Sequence, residues 1–285
     1  MKFTSPKQLK DWLKNKEISE GIPSNTLLNY YMMERLLERI SISKYNDNFI
    51  FKGGFLISSM IGINLRSTLD IDATLKGIPI SEEKVIEIIN NIISIEVDDN
   101  MFFNAIKIKS IHSSGKYEDF RITIEAKFFN VKEFLKIDLT TGDVIIPKEI
   151  EYSYNLMFGE RTINIRAYHL YTILAEKIET VLSRNIANTR AKDFYDIYVL
   201  TNFNKEKINK EKFIVALKEK CIERDTIIYL ESYKKYIDLI RNSSELKEIW
   251  TNYQNKNKYA EEISWAEIIS SLEYLLKDNI ISKPW

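Results

Sequence analysis

Lys52-Gly53-Gly54 and, further along the chain, Thr68-Leu69-Asp70-Ile71-Asp72 form the stretch of sequence that decides the fold. The apolar run at 48–51 predicts a short strand before the glycine pair, and 70–75 predicts a second strand, with a helix over 55–61 between them. Two glycines between a strand and a helix let the backbone approach a ligand closely, and the helix N-terminus offers free amides to a phosphate. The alternative is a plain tight turn; the acidic pair that follows favours the phosphate site.

Asp70 and Asp72 form the acidic pair of this segment. Side chains at i and i+2 of a strand point to one face, with their Cβ atoms about 7 Å apart. The apolar neighbours of the pair indicate a half-buried strand, where two carboxylates repel each other and require a cation. Mg²⁺ fits because it prefers oxygen ligands and completes its shell with water and phosphate. The alternative is an edge strand whose acidic face meets water.

The composition is that of an ordinary folded protein, with 45% hydrophobic and 29% charged residues. A length of 285 residues favours about two domains. The 41 basic and 41 acidic residues cancel, which does not indicate a protein that binds nucleic acid nonspecifically through a large positive charge. A local basic patch remains compatible with this balance.

The single cysteine and the two histidines exclude several site types. Cys221 has no partner for an internal disulfide, and with His112 and His169 it cannot make a standard zinc site. We therefore expect two structural histidines and a buried thiol. The chain starts without an apolar signal sequence and has no apolar run of about 18–20 residues that would span a membrane, so we expect a cytoplasmic protein.

The hydrophobic pattern predicts an α+β fold. Residues 5–45 read as two helices, and 81–94 as a helix capped by Ser81. Alternation of apolar and polar residues predicts strands within 102–143, with a turn at 112–116. The β pattern fades after about Phe158 and becomes helical, with two helices over 167–203 and three or four more over 207–277. We predict a mixed sheet with flanking helices over 1–160, and a helical domain over 161–285.

Three more residues of the first half are candidates for the same site. Arg66 and Thr68 lie close enough to the acidic pair to contact a triphosphate, although Arg66 could equally be a solvated loop residue. Asp138, on a strand between Ile137 and Leu139, is the candidate for a third acid. Asp143 follows Gly142 and is interpreted as a turn residue.

The second half offers a buried lysine and two acids. Lys177 shares an apolar helical stripe, where a lysine either extends its ammonium group to the edge or reaches a buried anion such as a phosphate. Asp193 and Asp196 lie on the inward face of the next helix, which is costly unless they are paired. A structural ion pair with Lys177 or Arg190 and a place at the catalytic centre are both open.

These motifs, in this order and spacing, resemble the AbiEii family of abortive-infection toxins, which are DNA-polymerase-β-like nucleotidyltransferases. The resemblance rests on Lys52-Gly53-Gly54, Arg66 to Asp72, Ile137 to Asp143, Ala175-Glu176-Lys177 and Arg190 to Asp196, and covers roughly residues 25–203. It implies a toxin of a bacterial toxin–antitoxin pair that also aborts phage infection. It further implies nucleoside triphosphates and Mg²⁺, or Mn²⁺ in its place, as substrate and cofactor, and for some members the 3′ end of tRNA as acceptor.

The resemblance also implies roles for individual residues. Asp70 and Asp72 hold the metals, Asp138 helps to activate the acceptor hydroxyl, and Gly53 and Gly54 cradle the triphosphate. Lys177 neutralises phosphate charge, and either Asp193 or Asp196 matches the family's later catalytic acid; the sequence does not decide between the two. The implied partner is a separate winged-helix antitoxin, and whether it binds this chain directly stays open.

Two other functions remain open at this point. An enzyme of the same fold could modify a protein or a small molecule, which the neutral net charge favours mildly. A non-catalytic binding module is disfavoured by the intact Asp-x-Asp pair. A basic groove formed by Lys205, Lys207, Lys210 and Lys212 would favour RNA, although such a run usually indicates only a solvated helix face.

Overall fold

The protein is described here from a computed structural model over residues 2–111, 119–159 and 161–277. Its contacts divide the chain into two compact units. The N-terminal unit contains the residues up to Asp143 together with Glu149–Ala167, and the C-terminal unit contains Val144–Lys148 and the residues from Tyr168 onward. None of the helices in these described ranges is both long and apolar enough to cross a membrane.

The N-terminal unit is a mixed sheet with helices packed on it. Its elements, in chain order, are α1 (Pro6–Glu20), α2 (Ser24–Ile42), β1 (Phe49–Lys52), α3 (Gly53–Ile61), β2 (Asp70–Leu75), α4 (Glu82–Ile93), β3 (Met101–Ile111), β4 (Asp119–Phe128), β5 (Val131–Thr140), β6 (Ile150–Asn155) and β7 (Thr162–Ala167). The described strands pair in the order β3-β4-β5-β2-β1-β7-β6. The pairs β1–β7 and β2–β5 are parallel, and the others are antiparallel.

Local sequence explains where several of these helices begin and end. Ser5 accepts a hydrogen bond from the amide of Gln8 and Pro6 follows it, while Gly21 ends α1 with a left-handed φ of 70°. Ser81 caps α4 as predicted, with Glu82 and Glu83 in the first turn. Most of α2 is buried, so this helix lies in the centre of the hydrophobic core.

The sheet contains two strands that the sequence analysis did not assign. Strands β6 and β7 form a hairpin at 150–167, where the sequence pattern named no individual strand after Asp143 and was expected to lose its β character after about Phe158. Their short segments alternate weakly, and β7 is held in place by parallel pairing with β1, which is distant in sequence. The turn predicted at 112–116, which includes His112, lies outside the described residues.

The C-terminal unit is helical. Its α-helices are α5 (Leu170–Arg184), α6 (Ala191–Phe203), α7 (Lys210–Glu223), α8 (Ile227–Glu231), α9 (Tyr233–Asn242), α10 (Ser244–Lys256) and α11 (Trp265–Leu276). The prediction of three or four helices after 207 was wrong, because the described residues there form five, one of them only 5 residues long. Cys221 is buried, and His169 caps α5 by accepting a hydrogen bond from the amide of Tyr171, so both have structural roles.

Candidate active site

A row of charged residues crosses four strands of the N-terminal unit. The strand register places Arg121 of β4 beside Asp138 of β5, Asp138 beside Asp72 of β2, and Asp72 beside Lys52 of β1. Directly paired residues point to the same face of a sheet, so the row has two neighbouring acids in its middle and one cation at each end. Asp70 lies on the same strand face, one pleat from Asp72.

Asp72 is the most perturbed acid of this row. The pKa of its carboxyl is raised to about 6, mainly by burial and also by the charges of Asp138 and Asp70. Lys52 and a hydrogen bond from the amide of Gly54 act in the opposite direction. Desolvation and two like charges together make Asp72 a carboxylate that gains strongly from a nearby cation.

Asp70 supplies a second carboxylate, one oxygen of which accepts no hydrogen bond from the described residues. Its Oδ1 atom is buried and has no hydrogen-bond partner among the described residues. A buried carboxylate oxygen without a partner carries a desolvation cost that a ligand can relieve. This orphaned oxygen beside Asp72 fits a hard cation such as Mg²⁺, which uses one or two protein carboxylates and fills its other positions with water and phosphate.

The described residues contain no convergent group of three carboxylate, imidazole or thiol ligands. Asp138 is the third acid, in register with Asp72, and Arg121 engages its carboxylate. Its two oxygens accept hydrogen bonds from Arg121, Nε to Oδ1 at 2.7 Å and Nη2 to Oδ2 at 2.6 Å. This bidentate pair raises the pKa of the Arg121 guanidinium and occupies the carboxylate on the side of β4. Arg121 was not predicted as a site residue, because its register with Asp138 is a property of the folded sheet.

The glycine pair fits the site through close packing. Gly53 has a left-handed φ of +64°, and a Cβ there would lie only 2.1 Å from Oδ2 of Asp72. A Cβ on Gly54 would meet the Arg66 guanidinium at 3.0 Å and the Thr68 hydroxyl at 3.2 Å. The first glycine therefore makes room for the acidic pair, and the second makes room for the segment before it.

Arg66 and Thr68 lie behind the glycine pair. Arg66 is only 4% exposed and donates from Nη1 to the carbonyl of Ser67 at 2.6 Å, so it is not a solvated loop residue. The amide of Thr68 donates to the Tyr30 hydroxyl at 3.0 Å. These contacts fix the segment that leads into β2, and the predicted contact of both side chains with a triphosphate stays a prediction.

Lys52 and Asp143 form a buried ion pair at the end of the row. Lys52 Nζ lies 2.6 Å from Oδ2 of Asp143 and donates to the Thr140 hydroxyl at 2.6 Å. The hydroxyls of Thr74 and Thr140 also donate to Asp143. Burial alone would raise the pKa of Asp143, but Lys52 and these hydroxyls hold it well below its usual range. The interpretation of Asp143 as a turn residue therefore missed its role as the counterion of Lys52.

Lys177, Asp193 and Asp196 form a cluster within the C-terminal unit. Lys177 Nζ lies 2.6 Å from Oδ1 of Asp193 and 3.0 Å from Oδ2 of Asp196. Burial lowers the pKa of the lysine, but the two carboxylates outweigh it and the pKa is raised. The ion pair considered for these residues is therefore present. Oδ2 of Asp193 is buried without a hydrogen-bond partner among the described residues, which leaves that acid one unused oxygen.

Two lysines of the run at 205–212 contact an aromatic ring. The ammonium groups of Lys205 and Lys210 lie 5.2 Å and 4.0 Å from the centre of the Tyr274 ring, within the C-terminal unit. Such cation–π contacts stabilise the packing of α11 against the segment that holds these lysines.

Comparison with known proteins gives a family and a fold. A family model described as the nucleotidyl transferase AbiEii toxin of a type IV toxin–antitoxin system matches residues 35–280. No curated relative matches this sequence. A candidate nucleotidyltransferase from H. pylori superposes with a TM-score of 0.50 at 13% identity, covering 90% of this chain and 96% of that chain. JHP933 from Helicobacter pylori does so with a TM-score of 0.51 at 14% identity, covering 89% and 92%. The predicted α+β fold with C-terminal helices is confirmed.

Proposed function

Because this chain belongs to the family of AbiEii nucleotidyltransferase toxins of type IV toxin–antitoxin systems, we propose that it adds nucleotides to the 3′ end of tRNA and so blocks translation. The reaction would depend on Mg²⁺. The observation that carries the proposal is the buried, unpartnered Oδ1 of Asp70 beside the desolvated carboxyl of Asp72. Abortion of phage infection would follow from the arrest of translation.

Asp70 and Asp72 are the residues that would hold the metal. Mg²⁺, or Mn²⁺ in its place, would supply positive charge against the phosphates of the bound nucleoside triphosphate. The protein's own part is to keep two carboxylates on one face of β2, since Gly53 leaves the space that Asp72 occupies. The amides at the start of α3 would add hydrogen-bond donors for the triphosphate.

Asp138 would accept the proton of the acceptor. In nucleotidyl transfer the 3′-hydroxyl oxygen bonds to the α-phosphorus, the bond from that phosphorus to the bridging oxygen breaks, and pyrophosphate leaves. The hydroxyl proton then needs a base, and Asp138 lies in register with Asp72 on the neighbouring strand. Arg121 uses one lone pair on each oxygen of Asp138, so a second lone pair on each oxygen is left to accept the proton.

The role of the Lys177 cluster in the reaction stays a prediction. Lys177 would neutralise phosphate charge, with Asp193 or Asp196 as the later acid, and the helical domain would complete the cleft. One observation supports a role for Asp193 over Asp196. Like Asp70, Asp193 has a buried carboxylate oxygen without a hydrogen-bond partner among the described residues. The type IV system implies an antitoxin partner; that this partner is a winged-helix protein, and whether it contacts the toxin, are further expectations.

The test is transfer of label from each α-³²P nucleoside triphosphate in turn, with total RNA and total cell protein as acceptors. We expect label in tRNA with Mg²⁺, and a loss of at least 100-fold in D70N, the size of effect expected when a charge-stabilising group is removed. D11N, a change of the same type on the exposed face of α1, should retain activity. Label in protein alone would refute the tRNA acceptor, and label from D70N at the wild-type rate would refute the site.

A further inference from the structure

The open face of strands β3, β4 and β5 carries a pattern that the proposed reaction does not use. The register of the three strands arranges this face in rows that continue outward from Arg121 and Asp138. Lys109 lies beside Arg121, and in the next row Lys107 and Lys136 flank Thr123. We name this surface the lysine–phenylalanine face and define it by Phe102, Lys107, Lys109, Arg121, Phe134 and Lys136.

Basic residues dominate this face. Lys107, Lys109 and Lys136 are exposed, and the side chain of Arg121 is 43% exposed. Two acids lie in these rows: Asp70 of β2 is in register with Lys136, and Glu125 is matched by Lys127 at 2.6 Å and Lys132 at 3.2 Å. With Glu125 neutralised, Lys107 and Lys109 add net positive charge to the rows nearest Asp138. A patch of this kind attracts a polyanion even though the whole chain is neutral.

Two large apolar rings interrupt the lysines. Phe134 is 51% exposed and Phe102 is 71% exposed, on strands whose opposite face is packed in the core. The ring of Phe134 has the ammonium of Lys132 above it at 5.9 Å. Exposed aromatic rings among cations are how proteins hold single-stranded nucleic acid, because bases stack on the rings while phosphates meet the lysines.

The rows lie at increasing distance from the acidic pair of Asp138 and Asp72. Alternate residues of a strand are about 7 Å apart, so the Lys136 row, the Phe134 row and the Phe102 row lie about 7, 14 and 20 Å from Asp138 and Asp72. A chain of several nucleotides laid along the strands would therefore cross aromatic and basic side chains before its end reached the acidic row. A small-molecule acceptor would leave most of this surface unused.

We propose that the lysine–phenylalanine face binds the single-stranded end of a nucleic acid and leads its terminal hydroxyl to Asp138. The second half of this statement rests on the proposed function, whereas the binding itself does not. Charge complementarity favours this occupant over a second copy of the chain. A two-fold contact through the same face would place lysines opposite lysines, which repel each other.

The test is fluorescence anisotropy of a labelled 12-nucleotide single-stranded RNA titrated with the full chain, without nucleotide or metal. F134A should weaken binding by about five-fold or more, the lower end of the effect of removing one base–aromatic stack. K107Q/K136Q should weaken binding and lower the slope of log Kd against log salt by about 1.4, or about 0.7 per lost phosphate contact. K10Q/K14Q, which removes two exposed lysines of α1, is the matched control and should bind as the wild type.

A DNA strand of the same sequence shows whether the face selects ribose. Unchanged affinity and salt slope in both F134A and K107Q/K136Q would overturn the proposal, as would a wild-type chain that binds neither strand. A wild-type chain that dimerises in sedimentation velocity, with F134A monomeric and RNA affinity unchanged, would overturn it in favour of a second copy. Loss of binding in these variants with no nucleotide transfer by the wild type would support the face and refute the proposed function instead.

Discussion

Replacing Gly53 by alanine should have two effects, a strained left-handed backbone and a collision with the carboxylate of Asp72. At this position the residue has φ +64°, and the added Cβ would lie 2.1 Å, 2.7 Å and 2.9 Å from Oδ2, Cγ and Cβ of Asp72. Ordinary contact begins at 3.4 Å, so the carboxylate must move by 3.4 − 2.1 = 1.3 Å. The left-handed backbone alone costs an alanine about 1–2 kcal/mol. A displacement of about 1 Å at a reacting centre costs about 100-fold in rate.

Gly21 provides the matched control. It has φ +70° and nothing within 4 Å of the position that a Cβ would take, so G21A carries the backbone cost without the collision. We expect both variants to lose about 1–2 kcal/mol in urea unfolding. Only G53A should lose about 100-fold in nucleotide transfer and weaken the thermal stabilisation by Mg²⁺. If G53A transfers nucleotides within a few-fold of G21A, the close approach of Gly53 to Asp72 does not shape the active site.

Three further predictions concern buried groups outside the acidic row. Burial raises the pKa of Glu34 from 4.5 to about 7, so the folded state holds its proton more tightly. The contribution of Glu34 to stability is therefore full below pH 4.5 and is lost as the pH rises through 7, a loss of about 3 kcal/mol at 1.36 kcal/mol per pKa unit. E34Q should flatten the curve of unfolding free energy against pH in this range. An unchanged slope in E34Q would contradict the assignment to Glu34. K177A leaves Asp193 and Asp196 without their cation and should lower the free energy of unfolding, measured by chemical denaturation, by about 3–5 kcal/mol. A decrease below about 1 kcal/mol would show that the cluster does not stabilise the fold. Cys221 is 1% exposed, and burial raises the pKa of its thiol to about 11. It should therefore react with a thiol reagent at pH 8 only as fast as the protein unfolds. An immediate stoichiometric reaction would contradict this prediction.

The helices and the first strands were predictable from local chemistry. Ser5-Pro6 and Ser81 begin helices because a hydroxyl satisfies a free amide, and Gly21 ends one because it tolerates a positive φ. The alternation in β4 and β5 follows from one buried and one open face. Strand β7 was not predictable in this way, since its six residues depend on pairing with β1.

By itself, the sequence determined that two acids share one face of a strand behind a glycine pair, because a period of two is a property of any strand. It could not determine which charges neighbour those acids. Arg121 meets Asp138, and Lys52 meets Asp143, only because strands distant in the chain pair in one register. The same register converts scattered lysines and phenylalanines of β3–β5 into one surface. Tertiary structure decided these neighbours, since electrostatic and stacking interactions depend on distance in space and not on separation along the chain.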